Sequence, residues 1–152
     1  MEIRGWKQSS AKTYLSKIRL LDLKIKQLIE ERDSLIALAG GLRSKPLDPD
    51  PVQTSISGDT MSLTVARYLD LEAELNEDID LYVHTKDRII HQIHDLEDPR
   101  YVELLHLRYV KYLRLEEIAC VMVRTDGRPY SYVHIRRLHG KALQEFQKKH
   151  MV

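Results

Sequence analysis

The sequence predicts an all-α protein with a long N-terminal antiparallel helical hairpin of coiled-coil type, followed by a C-terminal domain of three short helices. Two long segments repeat apolar residues every three or four positions, and three shorter helical faces follow them. The composition agrees with this fold class, because helix-forming residues are abundant and the 152 residues include only 6 Gly and 5 Pro.

The first long segment runs from about Ser9 to Ala39, where a heptad seam predicts a single helix. Ser9 or Ser10 is expected to cap its start, and Gly40-Gly41 fits its end. Residues 40–61 contain three prolines and show no period, so they are predicted to form a linker that lets the chain reverse.

The second long segment, from about Ser62 to Leu96, carries a seam of matching length. Its members are Val65, Tyr68, Leu75, Ile79, Tyr82, Ile89, Ile93 and Leu96. Two helices of similar length that are joined by a reversing linker form a helical hairpin. The prediction therefore places a hairpin module at residues 1–97.

Self-association is expected of this hairpin, because each helix has apolar residues beyond a single narrow seam. Such residues are Leu20, Ile29, Ile36, Leu69, Leu71 and Leu81, which a second copy or the C-terminal domain should cover. A homodimer or higher homo-oligomer is predicted. Its expected contacts are Ile18, Leu21, Ile25, Leu28, Leu75, Ile79, Tyr82, Ile89 and Ile93.

The predicted C-terminal domain covers residues 98–152 and restarts at Asp98-Pro99, a capping residue followed by a proline suited to the first helical turn. A short helix reaches about Tyr109, and a second apolar face follows at Leu115, Ile118, Ala119 and Met122. After a turn that contains Asp126-Gly127, a basic helix begins near Ser131. This order is typical of a helix-turn-helix domain.

The charge distribution indicates a polyanionic partner for that domain. Residues 99–152 hold 11 basic and 5 acidic groups, a net charge of +6, whereas residues 45–98 have a net charge of −9. Double-stranded DNA is the predicted partner, read in the major groove by the last helix. The expected contact residues are Arg124, Arg128, Tyr130, Ser131, Tyr132, His134, Arg136, Arg137 and Lys141.

Within this set, helical spacing separates two roles. Tyr132 and Arg136 share one face and are assigned to base edges, because arginine pairs bidentately with guanine. His134, Arg137 and Lys141 are assigned to the groove wall and the phosphates.

Four strings in this region carry a family resemblance. They are Asp98-Pro99-Arg100-Tyr101, Leu107-Arg108-Tyr109, Leu115-Glu116-Glu117-Ile118-Ala119 and Arg137-Leu138-His139-Gly140-Lys141-Ala142-Leu143. Together they resemble the sigma-70 region 4-like domain of small phage and prophage transcription regulators, including the late-transcription regulators of the RinA and ArpU type. The resemblance covers about residues 98–146. It implies a DNA-binding transcription regulator, with host RNA polymerase as a further partner.

Two positions depart from the pattern of that family. The gap between Ala119 and Ser131 is about six residues longer than the family needs, so an enlarged turn at residues 120–130 is expected. Arg114 stands where the family tends to have a capping Ser or Thr, which predicts a weakly capped helix.

Other classes of function find little support. The chain lacks a glycine-rich phosphate loop, a Gly-x-Ser-x-Gly string and a His-Glu-x-x-His string, so no enzyme and no cofactor are predicted. His84, His91 and His94 are interpreted as surface groups rather than metal ligands, and Cys120 is expected in the core. No apolar run predicts a membrane span or a signal peptide, so the expected location is the cytoplasm of a bacterial host cell, at the nucleoid.

Two alternatives to the regulator stay open at this point. A DNA-packaging component that resembles a small terminase subunit would also join a helix-turn-helix to helical oligomerisation segments. A coiled-coil structural adaptor would carry the basic segment without using it on DNA.

Overall fold

The computed structural model describes residues 10–43 and 56–151, and its named elements are all helical. They are α1 (Ala11–Leu15), α2 (Lys17–Arg43), α3 (Ile56–His94), α4 (Pro99–Leu105), a π-helical turn (His106–Val110), α5 (Leu115–Val121) and α6 (Tyr132–His150). Within the described ranges the extended backbone is limited to one isolated antiparallel bridge between Val123 and Pro129. The predicted all-α class is confirmed.

Several helix starts carry the caps that the sequence predicts. The Ser10 hydroxyl accepts a hydrogen bond from the Thr13 amide at 3.3 Å. The Asp98 carboxylate accepts one from the Arg100 amide at 2.9 Å and also binds the Arg100 guanidinium, which lowers the pKa of Asp98. At Arg114 the side chain does not cap, but the Glu117 carboxylate accepts the Arg114 amide at 2.7 Å.

The predicted linker at residues 40–61 is too long at both ends. Helix α2 continues through Gly40 to Arg43, and α3 begins at Ile56 rather than near Ser62. A glycine lowers helix propensity by only about 1 kcal/mol, so it does not end a long helix that packs against a neighbour. The remaining linker residues, 44–55, lie outside the described residues.

The chain divides into two compact units, and the division differs from the predicted boundary between residues 97 and 98. The first unit combines the described residues of Met1–Leu20 with those of Tyr82–Val152, and the second unit is Leu21–Leu81. The two divisions differ because residues from both ends of the predicted hairpin belong to the hydrophobic core of the C-terminal helices.

The core of the first unit joins segments that are far apart in sequence. Tyr14 in α1 lies 6.1 Å from Phe146 in α6, measured between ring centroids, and its hydroxyl donates a 2.8 Å hydrogen bond to Gln92 in α3. The Ala11 amide donates to the side-chain oxygen of Gln147 at 3.4 Å. The fully buried side chains of this core are Leu15, Ile18, Ile89, Ile93, Leu104, Leu105, Ile118, Met122, Ile135 and Phe146.

In the second unit α2 and α3 run antiparallel, as their ion pairs show. Lys24 binds Asp78 at 2.8 Å, whereas Glu31, further along α2, binds Arg67 nearer the start of α3 at 2.6 Å. Leu28 is among the side chains buried between the two helices. The ion pair of Lys24 with the mostly buried Asp78 raises the pKa of Lys24.

The seam of α3 in this unit is displaced from the predicted one. Leu71 and Asp78 are buried, while Ile79, a predicted seam residue, is 37% exposed. Both the predicted and the observed seams include Leu75. Beside it, the observed seam contains Asp78 where the predicted seam contains Ile79. Asp78 points inward because Lys24 neutralises it there.

The predicted oligomerisation contacts differ in how far their own chain covers them. Most of them are covered by their own chain and are not available to a partner. Ile18, Ile89 and Ile93 lie in the core of the first unit, Ile25, Leu28 and Leu75 are buried in the second, and Leu21 and Tyr82 are half-buried. Among the predicted contacts only Ile79 remains exposed.

A polar pair lies within the core of the first unit. The hydroxyl of Tyr109, in the π-helical turn, lies 3.0 Å from Nε2 of His139 in α6, and the two rings are stacked. Burial raises the pKa of Tyr109 to about 12. Burial, together with the nearby charges of Arg108 and Lys12, lowers the pKa of His139 to about 4. His139 therefore faces inward, next to the buried Phe146 around the helix.

The long-range core gives a test that separates one cooperative unit from two independent domains. Leu15→Ala should destabilise the first unit by about 2–5 kcal/mol, because it empties a fully buried site against the C-terminal helices. Leu20→Ala, at a side chain that is 63% exposed, should stay within about 0.5 kcal/mol. Amide hydrogen exchange of α6 is the measurement. If the amides of α6 keep their protection in Leu15→Ala, the predicted domain boundary between residues 97 and 98 is supported instead.

The His139 pair predicts a pH dependence of stability. The pKa in the folded chain, about 4, lies below the ordinary 6.5, so the unfolded chain takes up the proton first as the pH falls. Stability should decline between pH 6.5 and 4 by roughly 1–2 kcal/mol, less than the full shift implies because the ring is partly solvated. His139→Gln should remove this contribution, whereas His84→Gln, at an exposed site, should keep it. Equal pH profiles for parent and His139→Gln in urea unfolding would refute the argument.

Candidate nucleic-acid interface

Helix α6 has a capped start and two distinct faces. The Ser131 hydroxyl accepts a 3.2 Å hydrogen bond from the His134 amide, which fixes the first turn. Ile135, Leu138, Ala142 and Phe146 form the buried face. Since successive residues are rotated by roughly 100°, the opposite face is a ridge formed by Val133, Arg137, Gly140 and Gln144.

Three cations stand on or beside this outward ridge. Arg137 lies on the ridge, with Arg136 on one side and Lys141 on the other, and all three are exposed. None of them makes a hydrogen bond or ion pair with another residue in the described part of the chain. The segment 127–144 contains no acidic residue, so its positive charge has no local counterion. An unneutralised cationic helix face is suited to bind a polyanion.

Several other cations in the described part of the chain are paired with carboxylates. Lys149, near the end of α6, lies 3.4 Å from the Asp95 carboxylate, and His150 is 3.7 Å from the same group. Arg100 is bound to Asp98 at 2.7 Å, and Arg114 is 3.4 Å from Glu117. The first half of α6 therefore differs from these sites in having cations without partners.

The aromatic residues expected at the interface are only partly available. Tyr130 is half-buried, and its ring lies 5.1 Å from that of His134, so these two side chains pack on each other. Tyr132 is 41% exposed and lies between Arg136 and the buried face around the helix. The packing of Tyr130 on His134 fixes the end of the preceding turn to the start of α6.

The enlarged connection between α5 and α6 is an ordered turn. The Arg124 amide donates to the Arg128 carbonyl at 2.8 Å, and the Gly127 amide donates to the Arg124 carbonyl at 2.9 Å. Gly127 has a φ of +80°, which suits glycine, and the Asp126 carboxylate accepts the Arg128 amide at 3.0 Å. These residues form a small β-like turn, with Val123 and Pro129 paired at its base.

This turn presents two further guanidinium groups next to α6. Arg124 and Arg128 are both exposed. Arg124 Nε is 3.8 Å from Asp126, a long and solvated contact, whereas Arg128 has no side-chain partner among the described residues. The chain thus carries both predicted turn arginines on the surface, immediately before the first turn of α6.

Sequence reasoning missed Val133 and Gly140 and misplaced Cys120. Val133 is 57% exposed on the ridge. Counting helical rotation from Ile135 would have placed both residues there. Cys120, expected in the core, is exposed, because Ile118 and Ala119 take the inward positions of α5.

The other chemical possibilities have little structural basis. Among the residues that the structure describes, no group of three or more His, Cys, Asp or Glu side chains could hold a metal ion. His91 bonds the Asp87 carbonyl at 2.8 Å, and His94 stacks on His106. None of the described helices combines the length and apolarity that a membrane crossing requires.

A second exposed surface lies on one side of the second unit. Ile36 and Val65 line an apolar groove of about 360 Å³ between α2 and α3. Leu69 and Ile79 continue this side along α3, because they follow Val65 at intervals that complete whole turns of a helix. We call Ile36, Val65, Leu69 and Ile79 the apolar side.

Family models, curated sequences and solved structures were each searched, and none of them matches this chain.

Proposed function

We propose that the chain is a sequence-specific DNA-binding regulator of transcription, in which α5, the ordered turn and α6 act as a helix-turn-helix and α6 enters the major groove. The observation that carries this proposal is the set of unpaired cations Arg136, Arg137 and Lys141 around one ridge of α6. The start of α6 supports it, because Ser131 caps only the His134 amide and the remaining amides of the first turn favour phosphate groups.

The burial pattern changes the assignment of roles within α6. Arg137 stands on the ridge opposite the buried face, so it is the arginine best directed at base edges. Arg136 and Lys141 flank the ridge on opposite sides and are suited to the phosphates of the two groove walls. Arg124 and Arg128 extend the phosphate contacts beyond the helix. These roles of Arg136 and Arg137 are the reverse of those that residue spacing alone suggests.

The biological setting rests on the resemblance to sigma-70 region 4-like regulators. We propose that the target promoters belong to phage or prophage genes, that the protein acts at the nucleoid of a bacterial host, and that it contacts host RNA polymerase. No step of this proposal requires a cofactor or catalysis.

Selection from a randomised pool of duplex DNA with the purified full-length chain tests the core of the proposal. An enriched motif at physiological salt supports sequence-specific binding. Absence of retention even at low salt would refute it and favour a structural adaptor. A closed ring of many subunits that selects a packaging start site would instead favour a terminase-like role.

Self-association is the second part of the proposal, and the apolar side of the second unit is its surface. A two-helix hairpin covers only one stripe of each helix, and a second hairpin placed on Ile36, Val65, Leu69 and Ile79 would complete a four-helix bundle. A homodimer would also carry two copies of α6, as paired half-sites require.

Substitutions in α6 should separate base reading from phosphate binding. Arg137→Ala should cost about 1–3 kcal/mol on the selected duplex and relax the preference at one base pair. Lys141→Ala should weaken all duplexes alike and reduce the salt slope by about 1, from a value near −4 if four phosphates are contacted. Lys148→Ala, at another exposed cation of α6, is the control. If Arg137→Ala weakens binding to all duplexes alike and Arg136→Ala alters the base preference, Arg136 reads the base edges and Arg137 binds phosphate, as helical spacing alone predicts.

Self-association has its own test. Leu69→Asp should convert the assembly to monomers, because it places a charge on the apolar side, while the 61% exposure of Leu69 leaves the fold of each chain intact. Leu63→Asp, at a side chain that is 71% exposed and more than 100° away around α3, should keep the assembly. Light scattering gives the masses. A monomeric parent chain, or a Leu69→Asp variant with the parent's mass, would contradict the proposal.

A further inference from the structure

Gly140 is a helical glycine on the cationic face of α6. It lies inside α6, four residues after Arg136, and a Cβ built at this position would meet no atom within 4 Å. Glycine is the poorest helix former after proline, and alanine would fit here without any clash. The chain therefore keeps a residue that weakens α6 at a site where its own packing does not need it.

The position of Gly140 supplies a reason that lies outside the chain. Gly140 is on the outward ridge with Arg137 and Gln144, one helical turn beyond Arg137. Arg136 and Lys141 stand on either side of the ridge, without partners among the described residues. Because glycine has no side chain, the helix backbone is exposed at the centre of the cationic face.

We infer that Gly140 is a positioning residue, which lets α6 settle close enough to the floor of the major groove for Arg137 to reach base edges. This inference rests on the proposed DNA binding. A side chain at position 140 would act as a spacer between the helix and the bases. It would leave the number of cations unchanged, so the phosphate contacts would keep their electrostatic contribution.

A size series in the full-length chain tests the inference. Gly140→Ala should raise the melting temperature by about 2–4 °C, because alanine is a better helix former. The Kd for the selected duplex should nevertheless rise about threefold for Gly140→Ala and at least about tenfold for Gly140→Leu. The salt slope should stay within about 0.5 of the parent value, unlike that of a variant that has lost a phosphate contact.

Gly58 provides the matched control. It is an exposed helical glycine of α3 that also has no atom within 4 Å of an added Cβ. Gly58→Ala and Gly58→Leu should leave the Kd for DNA unchanged. Tight binding by the parent chain and by both Gly140 variants alike would overturn this inference alone. A parent chain that retains no DNA would overturn the proposed function and this inference with it.

Discussion

The burial of one face of α6 is the constraint on which the first unit depends. Ile135, Leu138, Ala142 and Phe146 cannot be covered by the short helices α4 and α5 alone, and the structure adds α1 and the end of α3 to the same core. Once this face is fixed inward, the rotation of the helix leaves no freedom in the placement of its cations. Arg136, Arg137 and Lys141 are directed outward because the apolar residues between them are held by segments from both ends of the chain.

Polar contacts within this core restrict α6 further. The Tyr109–His139 pair joins the π-helical turn to α6 at 3.0 Å, and Asp95 binds the last turn of α6 through Lys149. Both contacts are directional, so they fix the rotation and the axial position of α6 more narrowly than apolar packing does. A rigid helix is favourable for recognition, because a mobile one would lose conformational entropy when it binds.

The sequence predicts the helices well because their signals are local, and it predicts their partners poorly. Caps at Ser10, Asp98 and Ser131 depend on neighbouring residues and are found where expected. The seam of α3 is different, because two alternative sets of residues lie on either side of its central residues, Tyr68 and Leu75. One flank holds Val65, Glu72 and Ile79, and the other holds Thr64, Leu71 and Asp78. Hydropathy favours the first flank, yet the ion pair with Lys24 brings Asp78 inward. Such a pair involves another helix and cannot be read from α3 alone.

Different parts of the candidate interface could be predicted from the sequence to different extents. The net charge and the turn residues were enough to predict the region and all of its cations, because both are read directly from the sequence. Which arginine stands at the centre of the face depends on which side of α6 is buried, and helical rotation counted from the apolar residues Ile135, Leu138 and Ala142 indicates that side. Gly140 was part of the resemblance, but its exposed position and empty surroundings became informative only in three dimensions.

The contact between α1 and α6 also has a consequence for how the chain reaches its folded state. Ala11 and Gln147, which are hydrogen-bonded to each other, are separated by 136 positions. During synthesis α1 and most of α3 leave the ribosome long before the helix that completes their core. The core of the first unit can therefore form only after α6 has been synthesised, and closing so long a loop is slower than forming local helices. Until then the apolar residues of α1 stay uncovered, and chaperones or a second nascent chain have their best access to the protein during this interval.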